Sequence, residues 1–398
     1  MNESALGLRL APLILALWSG TAIAETKISA DANLEGGYAS NPLLAIGGNT
    51  GSATVTASIR PQIIFEEATS SLTLSGVAGR TLYSRSGYRD NENYGAQGAY
   101  VRQLSPRSSF NISAGYSQIT QNALQPVLSP LQVIDTGVNL LDPSAIGTLG
   151  QRVKTFNGSA GFTTTLSPRL SLTTQAYGSI VKYPARGTFA QDYDSYGGGL
   201  NLSYALNDRI SLGPSIGYAR SVYKNSRFGT SNQITPGVTV NMRFPSRLRL
   251  ALTAGAAIST IDQAGISSTR TSLNASANLC RDGDRSSLCL DARRSTSPTA
   301  FSGLSNVTAV GANYSYRLTP RSRIELNANY SKTNTLDNQA IARNLSFVSA
   351  GGNFSRQMTE RLSFTVKALY TKSFEAIVAT RDNIYGGVSV NYRLGRTS

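Results

Sequence analysis

Apolar and polar residues alternate with a period of two along much of the chain. After Arg247 every second residue from Leu248 to Ile258 is apolar, and the same pattern fills residues 312–318 and 362–371. Successive side chains of a strand point to opposite faces, so the pattern predicts strands with one apolar face. The predicted strands run for about 10 to 14 residues, against five or six in most globular sheets. A strand of that length crosses a bilayer when it is tilted.

A short turn-like sequence recurs between these segments. LSPR occupies Leu104–Arg107 and Leu166–Arg169, LTPR occupies Leu318–Arg321, and LNDR and MTER at residues 206–209 and 358–361 are looser versions. Proline at the second position of a turn fixes φ, and Ser or Asn also favours turns. Short turns are predicted at residues 67–70, 105–107, 167–169, 207–208, 245–246, 282–285, 319–321 and 359–361. These turns separate about 18 strands if both chain ends lie on the same side.

The fold class that this pattern predicts is all-β, a single transmembrane antiparallel β-barrel of about 18 strands (16–18) with short periplasmic turns and longer extracellular loops. The first strand is expected to begin near Lys27 and the last to end near Leu394. A soluble sandwich or β-helix is the alternative, but it would not need such long strands or such regular connections. Aromatic residues near the predicted strand ends fit membrane girdles. They are Phe65, Tyr83, Tyr100, Tyr183, Tyr204, Phe244, Tyr370 and Tyr392.

The first residues have the features of a secretory signal. Arg9 precedes an apolar run from Leu10 to Trp18, and Ala22-Ile23-Ala24 fits a cleavage site. The run is too short for a transmembrane helix. We therefore expect residues 1–24 to be a signal peptide and residues 25–398 to form the barrel, located in the outer membrane of a Gram-negative bacterium.

Charge and composition narrow the function classes. The chain has 37 Lys and Arg against 22 Asp and Glu, no His, and a formal net charge of +15. Without His we expect no histidine-dependent catalysis and no metal centre, and the sequence shows no phosphate-binding glycine loop. The inward carboxylates Glu325 and Asp291 are explained more simply as partners of Arg323 and Arg293. We expect no enzyme, no cofactor and no nucleic-acid partner.

Basic residues are expected to line the lumen. By alternation, one set points inward, mostly near the periplasmic ends of the strands: Arg60, Arg243, Arg247, Arg249, Arg293, Arg317, Arg323, Lys367 and Arg393. Rings of arginine in a water-filled pore favour anions. The turn arginines Arg107, Arg169, Arg209, Arg321 and Arg361 are instead expected to reach lipid phosphates at the rim.

Two further segments carry specific expectations. Cys280 and Cys289 flank an Asp-Gly turn and are expected to form a disulfide in an oxidising compartment. The longest connection, Gln121–Gln151, is unusually apolar, with a helix start at Asp142-Pro143. It is expected either to fold into the lumen or to pack against a partner.

The opening LEGGYASNP (Leu34–Pro42) and the repeated L-[ST]-P-R turns resemble the β-barrel porin families of Gram-negative bacteria, including those found with exopolysaccharide export genes. The resemblance covers the whole mature chain in pattern but is weak in motif. Unlike such barrels, which commonly end on an aromatic residue, the chain continues past Tyr392 to RLGRTS.

The resemblance implies an outer-membrane channel for an anionic solute or for an exopolysaccharide during export. The alternatives are a general diffusion porin and a plugged structural or adhesive surface barrel. The expected partners are outer-membrane lipid, an anionic polysaccharide or small anions, and a periplasmic export partner. The sequence leaves the oligomeric state open.

Overall fold

A computed structural model describes residues 25–44, 50–122, 150–184, 190–224, 229–263, 265–299, 303–336, 344–375 and 381–395. The predicted signal peptide and residues 123–149 of the predicted lumen loop lie outside these ranges, so neither expectation is examined by the structure.

The described residues form eighteen antiparallel strands in sequence order, and β1 pairs with both β2 and β18, which closes the sheet into a barrel. The strands are β1 Glu25–Ala39, β2 Ser52–Glu66, β3 Ser70–Tyr83, β4 Asn91–Ser105, β5 Ser108–Thr120, β6 Arg152–Ser167, β7 Leu170–Lys182, β8 Tyr193–Ala205, β9 Ile210–Tyr223, β10 Thr230–Arg243, β11 Leu248–Gln263, β12 Ile266–Asp282, β13 Ser286–Thr299, β14 Gly303–Thr319, β15 Ser322–Thr335, β16 Leu345–Gln357, β17 Leu362–Glu375 and β18 Arg381–Gly395. The predicted fold class and strand number are confirmed. The strands are 13 to 17 residues long, longer than predicted.

The repeated turn sequence has a common local structure. In the LNDR turn, the Asn207 side-chain oxygen accepts hydrogen bonds from the backbone N–H groups of Arg209 and Ile210, both at 2.9 Å. In the other copies Ser105, Ser167, Thr319 and Thr359 accept in the same way from the N–H of the arginine two residues later. Side chains that bond to the nearby backbone stabilise a tight reversal. The repeat therefore supplies the same chain reversal at one end of the barrel.

Eight short connections and the two chain ends lie at one end of the barrel, here called the turn end, and the other connections lie at the loop end. The expectation of longer loops holds for connections such as residues 121–151. It is wrong for residues 264–265 and 300–302, which are as short as the turns. Long loops mark the extracellular side of such barrels.

Apolar side chains cover the outer face of the barrel. On adjacent strands Leu200, Ile216 and Val238 expose about half of their surface to the outside. Their strand neighbours, such as Asn201 and Thr239, face inward and bond to each other at 2.8 Å. The outer face is therefore suited to lipid and the inner face to water or a polar ligand. Within the described ranges, no helix is long and apolar enough to span a membrane.

Candidate functional site

The lumen has one wall without charge. At their inward positions the seven strands β3 to β9 carry no Asp, Glu, Lys or Arg. Hydroxyl and amide side chains take these positions, with Tyr177 packed over Gly197 of the next strand. Members of this neutral wall include Thr73, Ser75, Gln97, Asn111, Thr163, Gln175 and Asn201. The neutral wall offers many hydrogen bonds and no fixed charge.

The remaining strands, β10 to β18 with β1 and β2, form a charged wall. Six ion pairs lie on its inward face in the described residues: Lys27–Glu66 at 2.8 Å, Lys27–Glu25 at 3.9 Å, Lys367–Glu35 at 2.6 Å, Arg249–Asp282 at 2.6 Å, Arg323–Glu325 at 3.2 Å and Arg393–Asp31 at 3.0 Å. Arg60 lies directly opposite Asp31 in the register of β1 and β2. These pairs cancel part of the inward positive charge.

Five inward arginines have no carboxylate within 4.0 Å among the described residues, namely Arg60, Arg243, Arg270, Arg293 and Arg317. Arg243 lies opposite Arg249, and Arg317 lies opposite Arg323. Like charges at directly opposed positions repel each other. The charged wall therefore keeps an excess of positive charge, most of it towards the turn end.

The expectation that Arg293 pairs with Asp291 is wrong. Asp291 instead accepts a hydrogen bond of 2.7 Å from the Asn278 side-chain amide on β12. Asn278 lies directly opposite Asp291 in the register of β12 and β13, so its amide is within hydrogen-bond distance of the carboxylate. The guanidinium of Arg293 remains available to another group.

Arg247 is not a wall residue. It lies in the turn before β11 with a φ of 59° and pairs with Asp284 in the next turn. The Arg247 guanidinium holds the pKa of the Asp284 carboxyl below its ordinary value by hydrogen bonding and by charge attraction. Arg247 belongs to a ring of turn arginines whose backbone carbonyls each accept a hydrogen bond from the following hairpin. The ring comprises Arg107, Arg169, Arg209, Arg247, Arg285, Arg321 and Arg361. Sequence reasoning missed Arg285, which ends a turn that has no Pro or Leu.

A buried cluster lies further towards the loop end. Glu35 is 2% exposed, and its carboxylate binds Lys367 at 2.6 Å and the hydroxyl of Tyr385 at 2.5 Å. The Tyr385 ring lies across Gly37 and Gly387, where a Cβ atom would be within 2.6 Å of the ring or its hydroxyl. The two glycines therefore create the space that brings the tyrosine down to the carboxylate.

Sequence reasoning missed this cluster. Its signal is the lone carboxylate at an inward position of LEGGYA, directly followed by two glycines. Beyond it, Ala39, Leu369 and Tyr385 form an apolar cluster inside the barrel. Phe347 and Leu345 are also buried on the inner side of β16. The loop half of this wall is therefore packed, whereas the turn half carries exposed arginines.

The end of the β13–β14 hairpin is folded into the lumen. Pairing of β12 with β13 stops at Ala275 and Arg294, but β13 and β14 stay paired up to Thr299 and Gly303. Beyond Ala275, the described part of β12 pairs with β11 alone. The hairpin end, here called the inner hairpin (295–299 and 303–309), separates from β12, while β14 stays paired with β15 from Ser305 onward.

Two contacts fix the position of the inner hairpin. The Tyr223 hydroxyl on β9 donates to the Thr299 carbonyl and accepts from the Thr299 N–H, both at 3.2 Å. The hydroxyls of Ser272 on β12 and Thr296 on the inner hairpin are 2.7 Å apart. A normally outward residue of β13 thus contacts an inward residue of β12, so the inner hairpin lies inside the wall. It narrows the loop end of the lumen beside β9.

Cys280 and Cys289 are joined by a disulfide and lie directly opposite each other on β12 and β13. The disulfide lies near the turn end of β12 and β13, whereas these two strands separate from each other near the loop end. It therefore ties this pair together below the inner hairpin. No group of three or more Cys, Asp or Glu side chains that could hold a metal ion occurs among the described residues.

No protein-family model and no curated protein sequence matches the chain. Among solved structures, the FrpB iron transporter from Neisseria meningitidis is similar with a TM-score of 0.50 and 9% identity, over 93% of this chain and 83% of that chain. OccK2 (OpdF) of Pseudomonas aeruginosa gives 0.49 and 11% over 94% and 99%. The outer membrane protein OpdK of the same organism gives 0.47 and 12% over 93% and 99%. What is shared is the fold. The chain has the architecture of a Gram-negative outer-membrane barrel.

Proposed function

We propose that the protein is a porin-like channel of the Gram-negative outer membrane that passes anionic solutes, with an anionic exopolysaccharide leaving the cell as its favoured cargo. The observation that carries this proposal is the division of the lumen into a neutral wall and a charged wall with unpaired arginines. An acidic carbohydrate presents hydroxyls and carboxylates together. The neutral wall would bond the hydroxyls, and the arginines would attract the carboxylates.

The position of the charge favours export over uptake. The arginine ring and the unpaired Arg243 and Arg317 lie at the turn end, which faces the periplasm if the long loops face outward. Positive potential at a pore mouth raises the local concentration of anions there. An anion leaving the cell would meet this charge first. The same ring is a suitable contact for an acidic surface of a periplasmic export partner.

The experiment that tests the proposal compares two adjacent arginines on opposite faces. Arg293 faces the lumen, whereas Arg294 faces outward, so Arg293→Gln and Arg294→Gln remove the same charge on the two sides of one strand. The refolded mature barrel is placed in a planar bilayer under a salt gradient, and the reversal potential is measured. A unit charge about 8 Å from a permeating ion in water contributes roughly 0.5 kcal/mol. The same charge repels a cation by a similar amount, so Arg293→Gln should lower the anion-to-cation permeability ratio roughly fivefold, and Arg294→Gln should not.

Equal reversal potentials for both variants and the unaltered barrel would contradict anion selection by the charged wall. To separate cargo types, a polyuronate and a neutral glucan of similar length are added on the turn side. Interruption of the current by the polyuronate alone supports export of an acidic polymer. Anion selectivity without polymer block would favour small anionic solutes, as in a general diffusion porin.

The inner hairpin favours a second candidate, a structural or adhesive surface barrel with a closed lumen. Leu304 and Ser305 of the hairpin are buried, as are the inward residues Ser231 and Ser259 of β10 and β11. A folded barrel that conducts no current, with or without the inner hairpin contacts, would support this candidate.

A further inference from the structure

Two lysines face each other on the outside of the barrel. Lys154 of β6 lies directly opposite Lys182 of β7, on the same outward face as Phe156 and Ile180. No carboxylate lies within 4.0 Å of either lysine nitrogen among the described residues. Like charges at opposed positions destabilise a sheet, and both stems are half-buried at the loop end. The pair therefore lacks the counter-charge that five of the inward bases of the charged wall have.

The surroundings of the pair are those of a membrane interface. On its other side Lys154 lies opposite Gln118, whose amide donates to the Tyr94 hydroxyl at 2.8 Å. Tyr116 stacks against Phe156 with ring centres 4.6 Å apart, one row closer to the turn end. Tyrosines with one apolar side and one polar tip favour the head-group level. If the loop end faces outward, the lysines lie at the level of the head groups of the outer leaflet.

An apolar groove lies on the same outer face, closer to the middle of the membrane. It has a volume of about 580 Å³, and its lining includes the small residues Ala160, Ala176 and Gly198 together with Phe162 and Leu200. Ala160 is six residues from Lys154, which is about 20 Å along a strand and roughly 15 Å in depth for a strand tilted by about 40°. This depth equals one leaflet of a hydrocarbon core of about 30 Å. The two outward rows between them hold Phe156 opposite Ile180 and Gly158 opposite Gly178, so the surface from the lysines to the groove is apolar.

We propose that the outer face of β6 and β7 is a binding site for a phosphorylated glycolipid of the outer leaflet, with a phosphate between Lys154 and Lys182 and an acyl chain in the groove. Charge complementarity selects the phosphate, and the groove selects a chain attached to it. The proposal rests on the placement of the loop end in the outer leaflet. It does not depend on anion transport through the lumen.

The test measures lipid binding to the whole mature barrel. Delipidated protein in detergent is titrated with bisphosphorylated lipid A, and bound lipid is counted by native mass spectrometry. We expect one tightly bound lipid, and we expect lipid A without phosphates to bind at least tenfold more weakly. The double variant Lys154→Gln/Lys182→Gln should weaken binding roughly 30-fold, since each basic residue near a charged surface contributes about 1 kcal/mol, or roughly fivefold.

The chain offers a matched control. Lys332 and Lys372 are also outward lysines near the loop end, and Lys332→Gln/Lys372→Gln removes the same charge away from the groove. This control should bind like the unaltered barrel. Ala176→Leu fills the groove at a lipid-exposed position and should weaken binding of the acylated lipid. A phosphorylated disaccharide that lacks acyl chains should bind the Ala176→Leu variant and the unaltered barrel with equal affinity.

Equal weakening by the two lysine variants, or equal binding of lipid A with and without phosphates, would overturn the proposal. The groove would belong to a second copy of this chain if the barrel were oligomeric in detergent and Ala176→Leu separated it into monomers. That result would also overturn the lipid site. Conductance is recorded for every variant. Unchanged conductance in Lys154→Gln/Lys182→Gln keeps the outcome separate from that of the transport proposal.

Discussion

Removal of one hydroxyl should loosen the inner hairpin. In Tyr223→Phe the ring is kept, together with its packing against Tyr193 at a centroid distance of 5.5 Å. Both hydrogen bonds to the backbone of Thr299 are lost. Thr299 is 1% exposed, so water does not readily replace them. We expect the inner hairpin to leave its position against β9 more often, which opens the loop end of the lumen.

The size of the effect follows from the two bonds. A hydrogen bond of ordinary geometry contributes about 0.5–1.5 kcal/mol net. Two such bonds at 3.2 Å therefore correspond to about 1–3 kcal/mol, or roughly a 5- to 150-fold shift between the inward and released positions. Gly303, with a φ of 65°, begins β14 at the tip and permits the reversal in either position. The disulfide keeps the base of the hairpin in the wall in both positions.

Single-channel recording measures this shift as the fraction of time spent in the largest conductance state. Tyr177→Phe is the matched control, because Tyr177 also faces the lumen but lies over Gly197 on the neutral wall. Tyr223→Phe should raise the open fraction at least fivefold, and Tyr177→Phe should leave it unchanged. If Tyr223→Phe gave the open fraction of the unaltered barrel, the inner hairpin would not control the passage, and its contacts with β9 would be structural only.

Three further changes test the stability of the barrel. The first two are measured by urea unfolding and by the gel mobility of the folded and unfolded protein, and the third by hydrogen exchange. Glu35→Gln leaves Lys367 without its buried counter-charge and should lower the free energy of unfolding by about 1–3 kcal/mol, less than the loss of a fully buried pair. Adding Lys367→Gln should recover part of this loss. Additive losses in the double variant would show that the two residues are not coupled. Replacing Cys280 and Cys289 with alanine should cost about 2 kcal/mol through the unfolded state, and an unchanged midpoint would contradict this. Because the pKa of Asp284 is lowered on folding, its contribution is present at neutral pH and lost as pH falls below about 4. Asp284→Asn should therefore flatten the acid dependence of hydrogen exchange in that turn, and an unchanged profile would exclude the link to Arg247.

The strand count could be predicted because two independent periodicities agree. The alternation of apolar residues predicts the strands, and the Ser, Thr or Asn two residues before the turn arginine marks five of the eight reversals. All eight predicted turns lie at connections between strands of the barrel. The outward position of residues such as Leu250 and the inward position of Arg249 follow from alternation alone, since a period of two fixes the face of every residue.

Contacts between distant strands could not be predicted in the same way. Alternation identifies Glu35 as an inward residue, but its neighbour Lys367 is 332 positions away. Their contact depends on closure of β1 against β18 and on the absence of a side chain at Gly387. The inner hairpin was missed for a related reason, because alternation continues through β13 even where the strand leaves the wall. Pro298 is the local signal, since proline favours strand edges and disrupted ladders.

The uneven distribution of charge connects the lumen to the outer face. Strands β3 to β9 have no inward charge, yet their outer faces carry basic residues near the loop end, including Lys154, Lys182 and Arg220. In β13 to β18 the bases lie mainly inside, towards the turn end. The excess positive charge of +15 is therefore unevenly placed. Part of it lies inside the barrel towards the turn end, and part lies on the outer face near the loop end. An anion inside the lumen and a phosphate outside it would meet different arcs of the barrel, so the two proposed activities can be altered by separate substitutions.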